Sequence, residues 1–272
     1  GSFQLDMSYF NYTVGLTMTN DKFHALFGAE PRKREGELSQ KEMDIAASLQ
    51  DVTEEIMLKL ARYAKKVTGS DNLCLAGGVA LNCVANGKIL KENIFKNIWT
   101  QPAAGDAGGA LGVAYSVYYE ELNNSRNINP NELDKMQGAY LGPKFSDSET
   151  KAYLDSINAN YEYIENEDTL VDIISDVLKD EKVVGWHYDR MEFGPRSLGH
   201  RSIIGDARSK EMQSIMNLKI KYRESFRPFA PSVLREKVHE WFELDTDSPY
   251  MLLVAPVKKD KCFEMTEQQD KL

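Results

Sequence analysis

A two-part α/β protein is what this sequence predicts. Three observations point there: strand-length apolar runs alternate with helical stretches, 272 residues suffice for two cores, and a polar Asn-rich stretch over 123–131 divides the chain. The longest apolar run, 251–257, is of strand length and falls short of the roughly 18 residues that a membrane-spanning helix needs. The boundary is placed near residue 136, giving parts 1–136 and 137–272.

Taken in order, residues 8–14 combine aromatic and β-branched types and predict a strand, followed by a short helix near 22–27 that Gly28 ends. Ser39 and Glu42 form a capping box. Ile45, Leu49, Val52, Ile56 and Leu60 then recur at helical spacing, so one amphipathic helix over 40–67, stopped by Gly69, is expected. Asn72–Leu75 reads as a fully buried strand, with a Gly77-Gly78 turn and a helix to Leu90 behind it. A strand near 94–101 leads through the glycines of 105–109 into a helix ending near Glu121. Such alternation implies a parallel or mixed sheet.

Beyond the boundary, Ser146 and Glu149 form a second capping box, opening a helix to about Ile157, and 161–165 reads as a strand. Leu170, Ile173, Ile174 and Val177 mark one face of a helix over 168–179, and 182–187 is the next strand. A helix over 210–220, a strand at 231–234, a helix at 236–242 and a strand at 251–257 complete the expected order.

Net charge is −9, with 33 basic and 42 acidic residues, which argues against general nucleic-acid binding because polyanion affinity comes from neutralising phosphates. The average hides a local reversal. Between Arg190 and Arg227 nine basic residues face four acidic ones, a local charge of +5. Cys74, Cys83 and Cys262 form no CxxC pair or disulfide framework, so a reducing, cytoplasmic setting is expected. The leading Gly-Ser, without Met or signal segment, reads as a cleavage scar.

Ala76-Gly-Gly-Val-Ala-Leu-Asn82 places two glycines after a strand and an amide where a helix begins. Glycine lets a phosphate or nucleoside approach the backbone, although a plain strand-to-helix turn explains the pair equally well. In Pro102-Ala-Ala-Gly-Asp-Ala-Gly-Gly-Ala110, Asp106 is the single charge among small residues, open to a helix-capping or a metal-binding role. Gly108, Gly109 and Gly112 each cost about 1 kcal/mol in a helix relative to Ala, so close packing or close ligand approach must justify them. The four histidines show no metal-binding spacing.

The richest segment runs from Asp189 to Pro231. Its arginines at 190, 196, 201, 208, 223 and 227 lie among glycines, prolines and serines, which puts them on turns. Converging guanidinium forks suit phosphate oxygens, and surface charge runs usually interleave both signs, unlike this one. No P-loop, G-x-G-x-x-G or G-x-S-x-G sequence is present.

Together with Arg190-Met-Glu-Phe-Gly-Pro-Arg-Ser-Leu-Gly-His-Arg-Ser202 and Arg223-Glu-Ser-Phe-Arg-Pro-Phe-Ala-Pro231, the two glycine-rich stretches resemble, in order and spacing, four signature segments of the antibiotic and nodulation-factor O-carbamoyltransferases. That resemblance implies a first part similar to the C-terminal portion of an actin-like (ribonuclease H-like) domain. The second part would then resemble the twisted α/β fold of threonylcarbamoyl-adenylate synthase. In such enzymes ATP and carbamoyl phosphate give carbamoyl-adenylate in the second part, and the first passes the carbamoyl group to an acceptor hydroxyl with help from an iron-type divalent metal.

The resemblance also implies roles for residues. Arg196, Arg201 and Arg227 become the catalytic arginines, Gly77, Gly78, Asn82, Arg190, Ser202 and Arg223 the nucleotide contacts, and Asp106 a metal ligand. Carbamate is a poor acyl donor, so adenylation supplies the leaving group and fixed guanidinium donors meet the phosphate charge. The family's H-x-x-x-H motif and its closing His-x-Asp-Gly-Thr-x-Arg stretch are both absent, so an internal fragment that does not complete the reaction in itself is expected. Small-molecule substrates are expected, and neither nucleic acid nor membrane. Two rival readings stand beside this one: a non-catalytic nucleotide- or anion-binding module, and a threonylcarbamoyl-adenylate enzyme of tRNA modification, which the acidic first part disfavours.

Overall fold

The structure is a computed structural model that describes residues 2–28, 30–33, 35–129 and 134–264. Its longest element follows from its caps. Helix α2, Gln40–Thr68, starts at the Ser39–Glu42 capping box and stops at Gly69, whose φ of 65° is left-handed. Before it, α1 spans Asp21–Phe27, with the Asn20 side chain accepting from the Lys22 and Phe23 N–H groups and Gly28 closing it at φ 67°.

The first part is a β–α–β unit. Strand β1, Asn72–Leu75, and β2, Asn97–Thr100, pair in parallel from Asn72↔Asn97 to Leu75↔Thr100, with α3, Cys83–Lys91, as the crossover. Met57 and Ala61 of α2 pack with Ala85 and Ile89 of α3 and with Phe95, forming one core under the sheet. The other face of β1 is open: Cys74 is exposed, where a fully buried strand was expected. Helix α4, Asp106–Ser116, runs on through a wider turn to Glu121.

The second part carries α5 (Asp147–Ser156), α6 (Glu167–Lys179), and an antiparallel pair, β3 (Val184–His187) with β4 (Arg201–Ile204). The short helix α7, Met212–Ile215, is continued by a wider turn to Ile220, and α8 covers Val238–Trp241. A second core joins Met136, Ala139, Tyr250 and Leu252 to Leu81, Trp99 and Leu111 of the first part and to Phe193 and Leu198. Tyr250 bonds the Asp134 carboxylate at 2.9 Å and receives the Gly138 N–H, and burial raises its hydroxyl pKa, so it stays protonated as a donor.

Several expected elements differ. Over 8–14 there is no strand. Met7–Tyr9 is a 3-10 turn capped by Asp6, and Asn11 takes both the Val14 and Gly15 N–H groups, leaving one bridge, Phe10↔Thr19. Nor is 161–165 a strand, since the Tyr161 hydroxyl folds back onto Asp155 and Lys151. Among the described residues, 231–234 have no strand pairing partner. The run 251–257 makes a single bridge, Phe242↔Val257, because α3 takes its backbone instead: Asn86 Nδ2 donates to the Leu252 carbonyl and the Val254 N–H to the Cys83 carbonyl. Conversely β4 is a strand where turns were expected. The Asn-rich stretch is irregular over 123–129, and the rest of it lies outside the described residues.

Candidate functional site

The antiparallel register of β3 and β4 sets Trp186 opposite Ser202 and His187 opposite Arg201. Around this pair lies a cleft of about 440 Å³, where Arg201, Ser202 and Lys221 meet Ser197, His187 and Trp186. Two cations and two hydroxyls on an open floor suit a phosphate-bearing ligand.

The loop feeding β4 is held from inside by Glu192. Its side chain is fully buried, and Oε1 accepts from three backbone N–H groups: Leu198 and His200 at 2.8 Å, Arg201 at 3.2 Å. Gly194 (φ 116°) and Gly199 (φ 107°) supply the backbone reversals that bring these amides together. The His200 ring stacks on Tyr140 at 3.5 Å between centroids and meets Tyr188 edge-on. Burial first, and then the nearby Glu192 charge, raise the Tyr140 pKa, so its hydroxyl remains the donor to the Leu198 carbonyl.

The arginines expected to converge are dispersed. Arg201 and Ser202 line the cleft, and Arg201 Nη2 donates to the Gly194 carbonyl at 3.0 Å. Arg196 reaches the first part instead, donating to the Leu81 carbonyl at 2.9 Å. Arg190 donates to Gly142 O, and Arg208 is clamped by Asp206, whose carboxyl the guanidinium holds at about 2. Arg223 and Arg227 gather around buried Asn217. Arg223 Nε donates to Asn217 Oδ1 at 2.6 Å and its guanidinium lies over Phe229, while Asn217 Nδ2 donates to the Arg227 carbonyl and Glu224 pairs with the Arg227 side chain.

In the first part, Gly77 (φ 93°) and Gly78 are exposed, and a Cβ on either would meet nothing within 4 Å. Asn82 caps α3, its Oδ1 accepting the Ala85 N–H at 3.1 Å, and its amide pairs both ways with Gln50. Gln50 in turn donates to buried Glu54, which Lys88 neutralises. Asp106 sits exposed on the first turn of α4. Among the described residues no group of His, Cys, Asp and Glu is arranged to hold a metal, so the residues present do not by themselves fit the expected iron-type ion.

Lys221, Ser197, Glu192, Gln50 and Asn217 are site residues that motif reading passed over. Lys221 was legible as part of the basic run. Ser197 lines the cleft, and Glu192, Gln50 and Asn217 act through backbone and amide contacts that no spacing announces. A second cleft of about 420 Å³ lies beside α1, lined by Asn11, Thr17, Thr19, Asn20 and His24, whose polar atoms largely bond one another.

Comparison with known proteins matches both ends of the chain to one family, Carbamoyltransferase N-terminus over residues 1–115 and Carbamoyltransferase C-terminus over 175–269. An uncharacterized protein of Synechocystis sp. is 57% identical over 100% of this chain and 44% of its own length. Nodulation protein NolO of Bradyrhizobium diazoefficiens is 38% identical over 85% of the chain and 41% of its own. Nodulation protein U of Rhizobium fredii is 33% identical over 68% of the chain and 28% of its own. The chain therefore spans less than half the length of these relatives. No helix among the described residues is long and apolar enough to cross a membrane. With the β3–β4 cleft inside one matched segment and the Gly77–Asn82 turn inside the other, the chain belongs to the carbamoyltransferase family.

Proposed function

We propose that the protein carrying this chain is an O-carbamoyltransferase: carbamoyl phosphate gives up inorganic phosphate to water, the resulting carbamate oxygen attacks the α-phosphate of ATP to form carbamoyl-adenylate with release of pyrophosphate, and an acceptor hydroxyl then takes the carbamoyl group, losing its proton as AMP leaves. The β3–β4 cleft holds the phosphate groups for the first step. The open Gly77-Gly78 turn takes the adenylate for the second, beside Asn82. An actin-like first part and a threonylcarbamoyl-adenylate-synthase-like second part belong to the same reading.

The observation that carries it is the meeting of Arg201, Lys221, Ser197 and Ser202 in one cleft. Negative charge on phosphate oxygens grows as the leaving groups depart, and fixed guanidinium and ammonium donors meet it without reorganising. Asp106 is the residue offered for the metal, and any remaining ligands would come from elsewhere in the protein.

The test is pyrophosphate release by the full-length protein, measured with ATP and carbamoyl phosphate and with threonine plus bicarbonate instead. Release with carbamoyl phosphate, lost in Arg201→Ala and Lys221→Ala, supports the reading. Release that needs threonine assigns the protein to the adenylates of tRNA modification.

A further inference from the structure

We propose that Glu192 is the positioning residue of the β3–β4 cleft, holding both the 198–201 backbone and the inner edge of the Arg201 guanidinium so that Arg201 meets a phosphate ligand in one orientation. This rests on the cleft being the phosphate site.

The two carboxylate oxygens have different work. Oε1 takes three converging N–H groups, which fixes the backbone from Leu198 to Arg201 and hence the start of β4. Oε2 is buried, has no hydrogen-bond partner among the described residues, and lies 3.9 Å from Arg201 Nε. Arg201 is thus exposed at the cleft, with only its Nε edge toward Glu192 and one Nη2 proton on the Gly194 carbonyl. Of the fork's five N–H donors, the remainder are left for the cleft.

A buried charge is costly unless it is paired. Loop closure alone needs only an acceptor oxygen, which a glutamine amide also offers. The second, charged oxygen answers the arginine. A small movement of the guanidinium brings Nε into hydrogen-bond range of Oε2, so the carboxylate limits how Arg201 turns when a ligand pulls on its outer edge.

Glu192→Gln separates the two roles, because its carbonyl keeps the three N–H groups while its NH₂ now faces the Arg201 Nε–H, donor against donor. The experiment is calorimetric titration of the full-length protein with inorganic pyrophosphate, in a cycle of wild type, Glu192→Gln, Arg201→Ala and the double variant, with thermal melts alongside. Glu192→Gln should lower the melting temperature somewhat, because its buried NH₂ lacks an acceptor, and bind pyrophosphate about tenfold more weakly, and the binding loss should vanish when Arg201 is already alanine. Wild-type affinity in Glu192→Gln, or an equal loss with and without Arg201, would overturn the positioning role. Wild-type affinity in Arg201→Ala would instead overturn the reading of the cleft, and this inference with it.

Discussion

Arg196 and Leu81 are joined by a 2.9 Å hydrogen bond from the guanidinium Nη2 to the main-chain carbonyl, across 115 positions of the chain. Close by in sequence, Gly194 lies against Ala103, since a Cβ at 194 would stand 3.3 Å from the Ala103 Cβ. The arginine loop therefore rests on both glycine-rich turns of the first part. Three segments far apart in sequence become one neighbourhood, with the β3–β4 cleft at one end and the Asn82 turn at the other.

From this follows a contrast between two arginines that the sequence treats alike. Arg196→Ala removes a charge-assisted bond at the junction of the two parts, and should lower unfolding free energy by about 1.5 kcal/mol in denaturant titration. Arg201→Ala removes a cleft residue and leaves the buried Glu192 carboxylate without its counter-charge, so it should weaken pyrophosphate binding and lower stability as well. Wild-type stability in Arg196→Ala would show that the Leu81 contact carries no weight.

Caps and glycine stops were the most legible features. The Ser39–Glu42 and Ser146–Glu149 boxes and the left-handed Gly28 and Gly69 act over one turn, so spacing alone reveals them. Which face of a helix is buried depends on partners far away. The stripe read on α2 is half exposed, with Leu49, Val52 and Leu60 outward, while Glu54, Met57 and Ala61 are the buried residues. A glutamate in that interior was invisible to a hydrophobic pattern, because its partners, Gln50 and Lys88, lie on α2 itself and on α3. For the same reason the arginine cluster was legible as chemistry but not as geometry: each guanidinium found the nearest carbonyl or carboxylate of the folded chain.

Asn82 lends itself to a sharper test than its motif suggested. Asp caps a helix about as well as Asn, so Asn82→Asp should keep the Ala85 bond and melt within a few tenths of a kcal/mol of wild type, losing only the Nδ2 donation to Gln50. Carbamoyl transfer by the full-length enzyme should nonetheless fall well below carbamoyl-adenylate formation, if the amide meets the adenylate. A parallel fall of both half-reactions would leave Asn82 as a cap alone.

The Glu54–Lys88 pair sets a pH dependence with a definite sign. Hydrogen bonds from Lys88 first, then Gln50, hold the Glu54 carboxyl below its ordinary 4.5. A folded value below the unfolded one stabilises the protein at pH above the unfolded value, and that contribution disappears as pH falls through the folded one. Glu54→Gln should therefore destabilise the protein near pH 7 and make much less difference near pH 3, which urea titrations at the two values would show. A constant difference across that range would mean that packing, not charge, keeps Glu54 where it is.

Glycines in helices separate packing from ligand approach. In α3, a Cβ on Gly87 would stand 2.6 Å from the Val254 carbonyl, so Gly87→Ala must push the 251–257 segment off the helix and should cost about 1–3 kcal/mol. In α4, Gly108 is packed just as tightly against the Ala103 carbonyl, whereas a Cβ on Gly112 would meet nothing within 4 Å. On helix propensity alone, Gly112→Ala should stabilise this chain by about 0.5–1 kcal/mol. Among the described residues nothing packs on Gly112, so a side chain there would meet only a ligand or segment that approaches α4 in the complete protein. Gly112→Ala should therefore raise the melting temperature of this chain and yet slow carbamoyl transfer in the full-length enzyme. A variant that is both more stable and fully active would show that nothing approaches α4 at that point.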